Sequence, residues 1–180
     1  MTPSTERYSG PAIGAHWIIA LLILVAWPLG VYMHELALSP LKLKLYSYHK
    51  WIGMTVLGLF VLRLLWRVTH RPPAPLPAPA WQQKAAEVTH GLLYVLMALV
   101  PLTGWLMSSA KGFQVVYLGV LPIPDLIAKN PDLGEVLEEV HESLNWLLFG
   151  LVGLHVAAAL KHHLIDKDAT LRRMLPFGRA

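Results

Sequence analysis

EVLEEVHESLNWLLFGLVGLHVAAALKHH, Glu135 to His163, holds an apolar run long enough to cross a bilayer and carries His141 and His155 fourteen residues apart. At about 100° and 1.5 Å per residue, fourteen positions return a helix to within about 40° of the same face, about 21 Å further along. One membrane helix therefore presents two inward imidazoles, one near each bilayer surface. An ionisable group in hydrocarbon is costly unless something compensates it. Two on one face require two partners.

The rest of the chain fits that reading. Its 180 residues are 55% hydrophobic and 14% charged, with mean hydropathy +0.48, too apolar for an ordinary soluble domain and typical of an integral membrane protein. Further apolar runs span about residues 11–33, 45–66 and 90–109, and the fourth about 135–161. The expected fold is all-α: a four-transmembrane-helix bundle forming one domain over 1–180. The first run is too long for a signal-peptide core, contains Trp17, Trp27 and Pro28, and lacks a small-residue cleavage site, so it is expected to stay as a helix. Pro28 should kink it. Gly53 and Gly58 invite close approach to the second helix, and Arg63 and Arg67 mark its exit. RPPAPLPAPA, Arg71 to Ala80, is a stiff polyproline-like connector. Trp81 to Thr89 reads as an interfacial segment, and Pro101 falls inside the third helix. The loop from Lys111 to Pro131 has an apolar middle, VVYLGVLPIP, suited to packing over helix ends. Asp132 and Glu135 have the spacing of a capping box for the fourth helix. With four crossings, ten of the fifteen lysines and arginines fall on the side of the two termini. The positive-inside rule makes both termini cytoplasmic.

The absence of cysteine removes disulfides, iron–sulfur clusters, thiolate metal sites and covalently attached c-type haem. The net charge of +4 sits at the ends of apolar runs and forms no basic and aromatic patch, so no nucleic-acid partner is expected. Nine histidines are the unusual resource. Topology sorts four of them by depth. His16 enters the first helix from the cytoplasmic side, level with His155 near the cytoplasmic end of the fourth. His49 opens the second helix on the outer side, level with His141. Any one membrane histidine alone reads as a packed, hydrogen-bonded residue. Four matched in depth on different helices suit a planar macrocycle clamped on both faces, a haem held by two imidazoles. A zinc or iron path would want carboxylates in the spans, and a zinc protease would want H-E-x-x-H, which His141-Glu142 does not complete.

Five histidines remain. His34 precedes Glu35 at the water boundary and reads as a surface residue. His90 opens the third helix on the cytoplasmic side and rivals His16 or His155, with a propionate or quinone contact as the other reading. His162, nearly in line with His155, lies closer to the cytoplasm than a ligand should and is a quinone candidate. His70 and His163 look interfacial.

Beyond spacing, the segments G-A-H16-W, Y-H49-K-W-I-G, V-H141-E-S-L-N-W, G-L-H155-V-A-A-A-L-K-H162-H163 and D-A-T-L-R-R-M resemble the prokaryotic cytochrome b561 family over nearly the whole chain. The resemblance implies a multi-pass protein of the bacterial inner membrane with two non-covalent b haems, His16 with His155 and His49 with His141. It also implies electron exchange with ubiquinone and, in one branch, superoxide oxidation. Related cytochromes serve as membrane anchors of hydrogenases and dehydrogenases; these are usually longer, so the chain's length leans towards the stand-alone branch. Partners are then membrane lipid, ubiquinone and superoxide, with a redox partner protein as a further candidate. If superoxide is the outer donor, Lys111, with Lys42, Lys44 and Lys50 near His49, could steer the anion. Their bland reading is as lysines that anchor helix ends.

Overall fold

A computed structural model describes residues 7–177; the outermost residues, including Arg179 of the charge count and the ends of the expected 1–180 domain, lie outside the described residues. Four helices account for most of the chain: α1 Gly10–Glu35, α2 Pro40–Thr69, α3 Ala80–Ala110 and α4 Pro131–Leu164. All four are long and apolar enough to cross a membrane.

Helix starts are set by local chemistry, and three lie earlier than the apolar runs suggest. In α2, Ser39 caps the helix by accepting from the Lys42 amide at 3.2 Å, with Pro40 in the first turn where no amide is needed. In α4 the expected Asp132–Glu135 capping box gives way to Asn130. Its side chain accepts from the Leu133 amide at 3.1 Å, ahead of Pro131. Asp132 becomes a first-turn acid that complements the helix dipole. In α3, nothing after Pro79 breaks the helix, so Trp81 to Thr89 joins the transmembrane segment as one continuous rod.

Neighbouring helices pack in sequence, most extensively α3 on α4 and α1 on α2, with α2 on α3 closing the set. The packed centre is small: Leu96 and Val100 of α3 meet Leu148 of α4, flanked by Ile23, Leu93, Leu144, Leu151 and Val152. Elsewhere the apolar side chains point outward, as with Leu21 and Leu62, each 63% exposed. In water such a surface would collapse. In lipid it is the solvated face, and helices satisfy their own backbone polar groups.

The α3–α4 loop forms a small hairpin, β1 Val116–Tyr117 and β2 Leu121–Pro122, antiparallel with Val116 opposite Pro122. Three residues join the strands, and two of them, Leu118 at φ 53° and Gly119 at φ 75°, take the left-handed conformation that reverses the chain. As expected, the loop lies against helix ends. Trp51 Nε1 donates to Val116 O at 2.7 Å, Lys50 Nζ to Phe113 O at 2.9 Å and Trp105 Nε1 to Pro124 O at 3.1 Å. At the opposite end the described segments before α1 and after α4 meet: the Tyr8 amide donates to Arg173 O at 3.2 Å and Trp17 Nε1 to Met174 O at 2.7 Å. Arg173, almost fully buried, also donates to Ala74 O at 3.0 Å and ties down the proline-rich connector.

Candidate functional site

The four expected histidines meet in two pairs. The rings of His16 and His155 have centroids 6.1 Å apart, and those of His49 and His141 6.3 Å apart. Two imidazoles bound to opposite faces of one metal ion through bonds of about 2 Å have ring centres about 6 Å apart. Between the rings of His49 and His141, called the outer pair for lying toward the hairpin loop, opens a cleft of about 270 Å³, bordered also by Gly30, Gly53, Gly104 and Trp105.

The outer rings are held in one orientation. His49 Nδ1 lies 3.1 Å from Ala26 O, and His141 Nδ1 lies 3.0 Å from Val100 O. A carbonyl only accepts, so each Nδ1 carries the proton and each Nε2 keeps a lone pair for a metal. Thr103 supports the second contact, with Oγ1 3.2 Å from His141 Nδ1 and donating to Val100 O at 2.9 Å. Glycines leave room for the rings. A Cβ at Gly30 would stand 3.1 Å from Cε1 of His49, and one at Gly104 2.9 Å from Cε1 of His141. Each supporting helix thus combines an accepting carbonyl, an internal proline and a glycine: Ala26, Pro28, Gly30 in α1 and Val100, Pro101, Gly104 in α3.

Sequence reasoning found the fourteen-residue interval only in α4, yet every helix has it. His16 and Gly30, His49 and Arg63, His90 and Gly104, and His141 and His155 are fourteen apart. Each pair shares a helix face within about 40° and about 21 Å of depth. The outer level is therefore two histidines backed by two glycines, and the inner level is His16, His155, His90 and Arg63. The His90 and His155 ring centroids are 5.2 Å apart. Gly53 has open space beside its Cα and borders the outer cleft, whereas Gly58 faces nothing.

Three of the remaining histidines have partners of their own away from the two ring pairs. His34 is exposed beside Glu35 at 3.6 Å. His70 stacks on Trp66 with centroids 3.7 Å apart. His162 stands beyond the inner level, its Nδ1 2.6 Å from Asp168 Oδ2 and 3.2 Å from Asp166 Oδ2. The Lys161 ammonium, 2.7 Å from the same Asp166 oxygen, already supplies that carboxylate with positive charge.

Of the outer cations, Lys111 is half-buried and ion-paired with Glu138. Its stem crosses Gly134, where a Cβ would stand 2.7 Å from Lys111 Cγ. Lys111 thus latches the end of α3 onto the start of α4. Lys50 is held by Phe113 O, and Lys42 by Leu36 O at 2.6 Å and His34 O at 3.2 Å. Lys44 lies over the ring of Tyr48.

The profile of the family described as prokaryotic cytochrome b561 matches residues 7–177. The chain belongs to this family. It is 34% identical over 176 residues to "Cytochrome b561 homolog 2" of Escherichia coli strain K12, covering 97% of this chain and 94% of that one. It is 30% identical over 185 residues to "Probable superoxide oxidase CybB" of Yersinia pestis, covering 97% and 98%. A third relative, "Cytochrome b561 homolog 1" of E. coli, is 30% identical over 181 residues, covering 95% and 98%. The protein is a multi-pass protein of the bacterial inner membrane that binds b-type haem and carries electrons. The residues present fit that group: facing imidazoles at the right separation, with the outer rings cradled so that Nε2 is free.

Proposed function

We propose that this protein passes electrons across the membrane through two b haems, from a donor at the outer face, superoxide, to ubiquinone at the inner end. The observation that carries this reading is the presence of two imidazole pairs of matching separation at two depths of one bundle. Bound haem would supply a one-electron iron couple at each level. His49 and His141 would hold the outer group, and His16 and His155 the inner one.

The protein's own part is to fix ring orientation and exclude other ligands. With both imidazoles of a pair taken up by the group they hold, a donor would need only to reach its edge. Two superoxide ions would give up one electron each and leave as oxygen, and ubiquinone would take both electrons with two protons to become quinol. His90 and His162 lie toward the end where the segments before α1 and after α4 meet and are proposed to contact the quinone. With that end cytoplasmic, as the charge count favours, quinol forms on the inner side.

Superoxide enters by analogy with the relative named as a probable superoxide oxidase. Lys111 is the proposed steering cation, and its pairing with Glu138 sharpens the test. Haem reduction by a superoxide pulse should occur in the isolated protein and slow with rising salt. Glu138→Gln, which unmasks the lysine, should raise the rate a fewfold, and Lys111→Glu should lower it. Reduction by ubiquinol but not by superoxide would remove the outer donor. Inertness towards both until a catalytic subunit is added would favour a membrane-anchor role.

A further inference from the structure

At the inner level the chain places cations that ring ligation does not use. Fourteen residues beyond His49, Arg63 occupies on α2 the depth that His155 occupies on α4. His16, His90 and His155 occupy the same level on the other three helices. Arg67 follows one turn further on. Among the described residues, no carboxylate pairs with either arginine. Arg63 does not simply extend to the water boundary. Its Nε donates to Tyr94 Oη at 3.1 Å, and the guanidinium groups of Arg63 and Arg67 lie 5.8 and 5.4 Å from the Tyr94 ring centre.

A guanidinium at this depth is costly without a counter-charge, and its planar fork matches a carboxylate with two parallel hydrogen bonds. The outer level is different in kind: its acids Glu35, Glu138 and Glu142 border the cleft together with Lys50. We propose that Arg63 and Arg67, steadied by Tyr94, form a carboxylate cradle that grips the propionates of the inner haem. The cradle fixes the rotation of that macrocycle in its plane and points its carboxylates at the α2–α3 seam. This rests on the inner haem of the proposed function.

The test is a double cycle on haem binding in nanodiscs, pairing wild type and Arg63→Gln with haem and haem dimethyl ester, whose propionates are uncharged. Wild type should bind haem at the inner level at least tenfold more tightly than the ester. In Arg63→Gln the two affinities should converge, while the outer level stays filled in all four arms. Arg63→Lys, which keeps the charge but loses the fork, should fall between and serves if the glutamine variant does not fold. An equal preference for haem over ester in wild type and variant overturns the cradle. So does no preference in wild type together with inner-level spectra that follow the phosphatidylglycerol content of the disc, which would assign the arginines to a lipid phosphate. A wild type holding only the outer haem would instead show the failure of the two-haem reading, and the cradle would fall with it.

Discussion

A methyl group at position 104 would stand 2.9 Å from a carbon of the His141 ring, closer than real side-chain carbons approach. Ring and helix are both fixed, the ring by Val100 O and Thr103 and the helix by packing on α4. Gly104→Ala should therefore displace the imidazole and weaken the outer haem by about 1–3 kcal/mol, the usual cost of overpacking. Gly30→Ala, with 3.1 Å to His49, should act in the same direction and less strongly. Gly58→Ala meets nothing and should be neutral or slightly stabilising, since alanine favours helix. Haem retention in detergent and the low-spin electron paramagnetic signal of the outer centre read all three. Loss of the outer signal in Gly58→Ala alone would contradict this assignment of the glycines.

Among the elements, α4 was legible at once because both its functional positions are histidines, which stand out in an apolar run. The same interval in α1, α2 and α3 was equally present in the sequence. It passed unseen because its second member is a glycine or an arginine, which read as filler or as a helix exit. Applying the α4 spacing to His16, His49 and His90 would have found Gly30, Arg63 and Gly104. Helix starts were less legible, since Asn130 and Pro131 compete with Asp132 and Glu135 for the same end and only backbone geometry decides. The carbonyls at Ala26 and Val100 have no residue-type signal at all.

The far end of α4 gives a pH prediction. Asp168, outside the helix, ties His162 to the C-terminal segment and accepts from the Thr170 amide at 2.7 Å. Burial pushes its carboxyl up, but hydrogen bonds from Thr170 and His162 outweigh this and leave it below the ordinary 3.8. A lowered folded-state value means that the charged form is favoured by the fold. Its stabilisation is full above the unfolded value and is lost as pH falls through the lowered one. Amide exchange in the short 3-10 helix Arg172–Met174 should rise, beyond the intrinsic trend, once pH drops below about 4. Asp168→Asn should show the raised exchange already at neutral pH. Identical protection in variant and wild type would remove Asp168 from holding this segment.

On the scale of the molecule, bundle, loop and charge distribution give the protein two unlike ends. Apolar surface fixes it in lipid, the hairpin loop covers one end, and the joined segments before α1 and after α4 close the other. Arginines at one level and carboxylates with Lys50 beside the other give the two ring pairs unlike surroundings. All of this depends on there being two centres, each held by the pair assigned to it. The direct measurement is haem content by the pyridine haemochrome assay on purified wild type and on His→Ala variants at positions 16, 49, 90, 141, 155 and 162. The account predicts two haems per chain in wild type, one after loss of His16, His49, His141 or His155, and two after loss of His90 or His162. A wild type with one haem, or an inner haem that survives His155→Ala and is lost in His90→Ala, would contradict it.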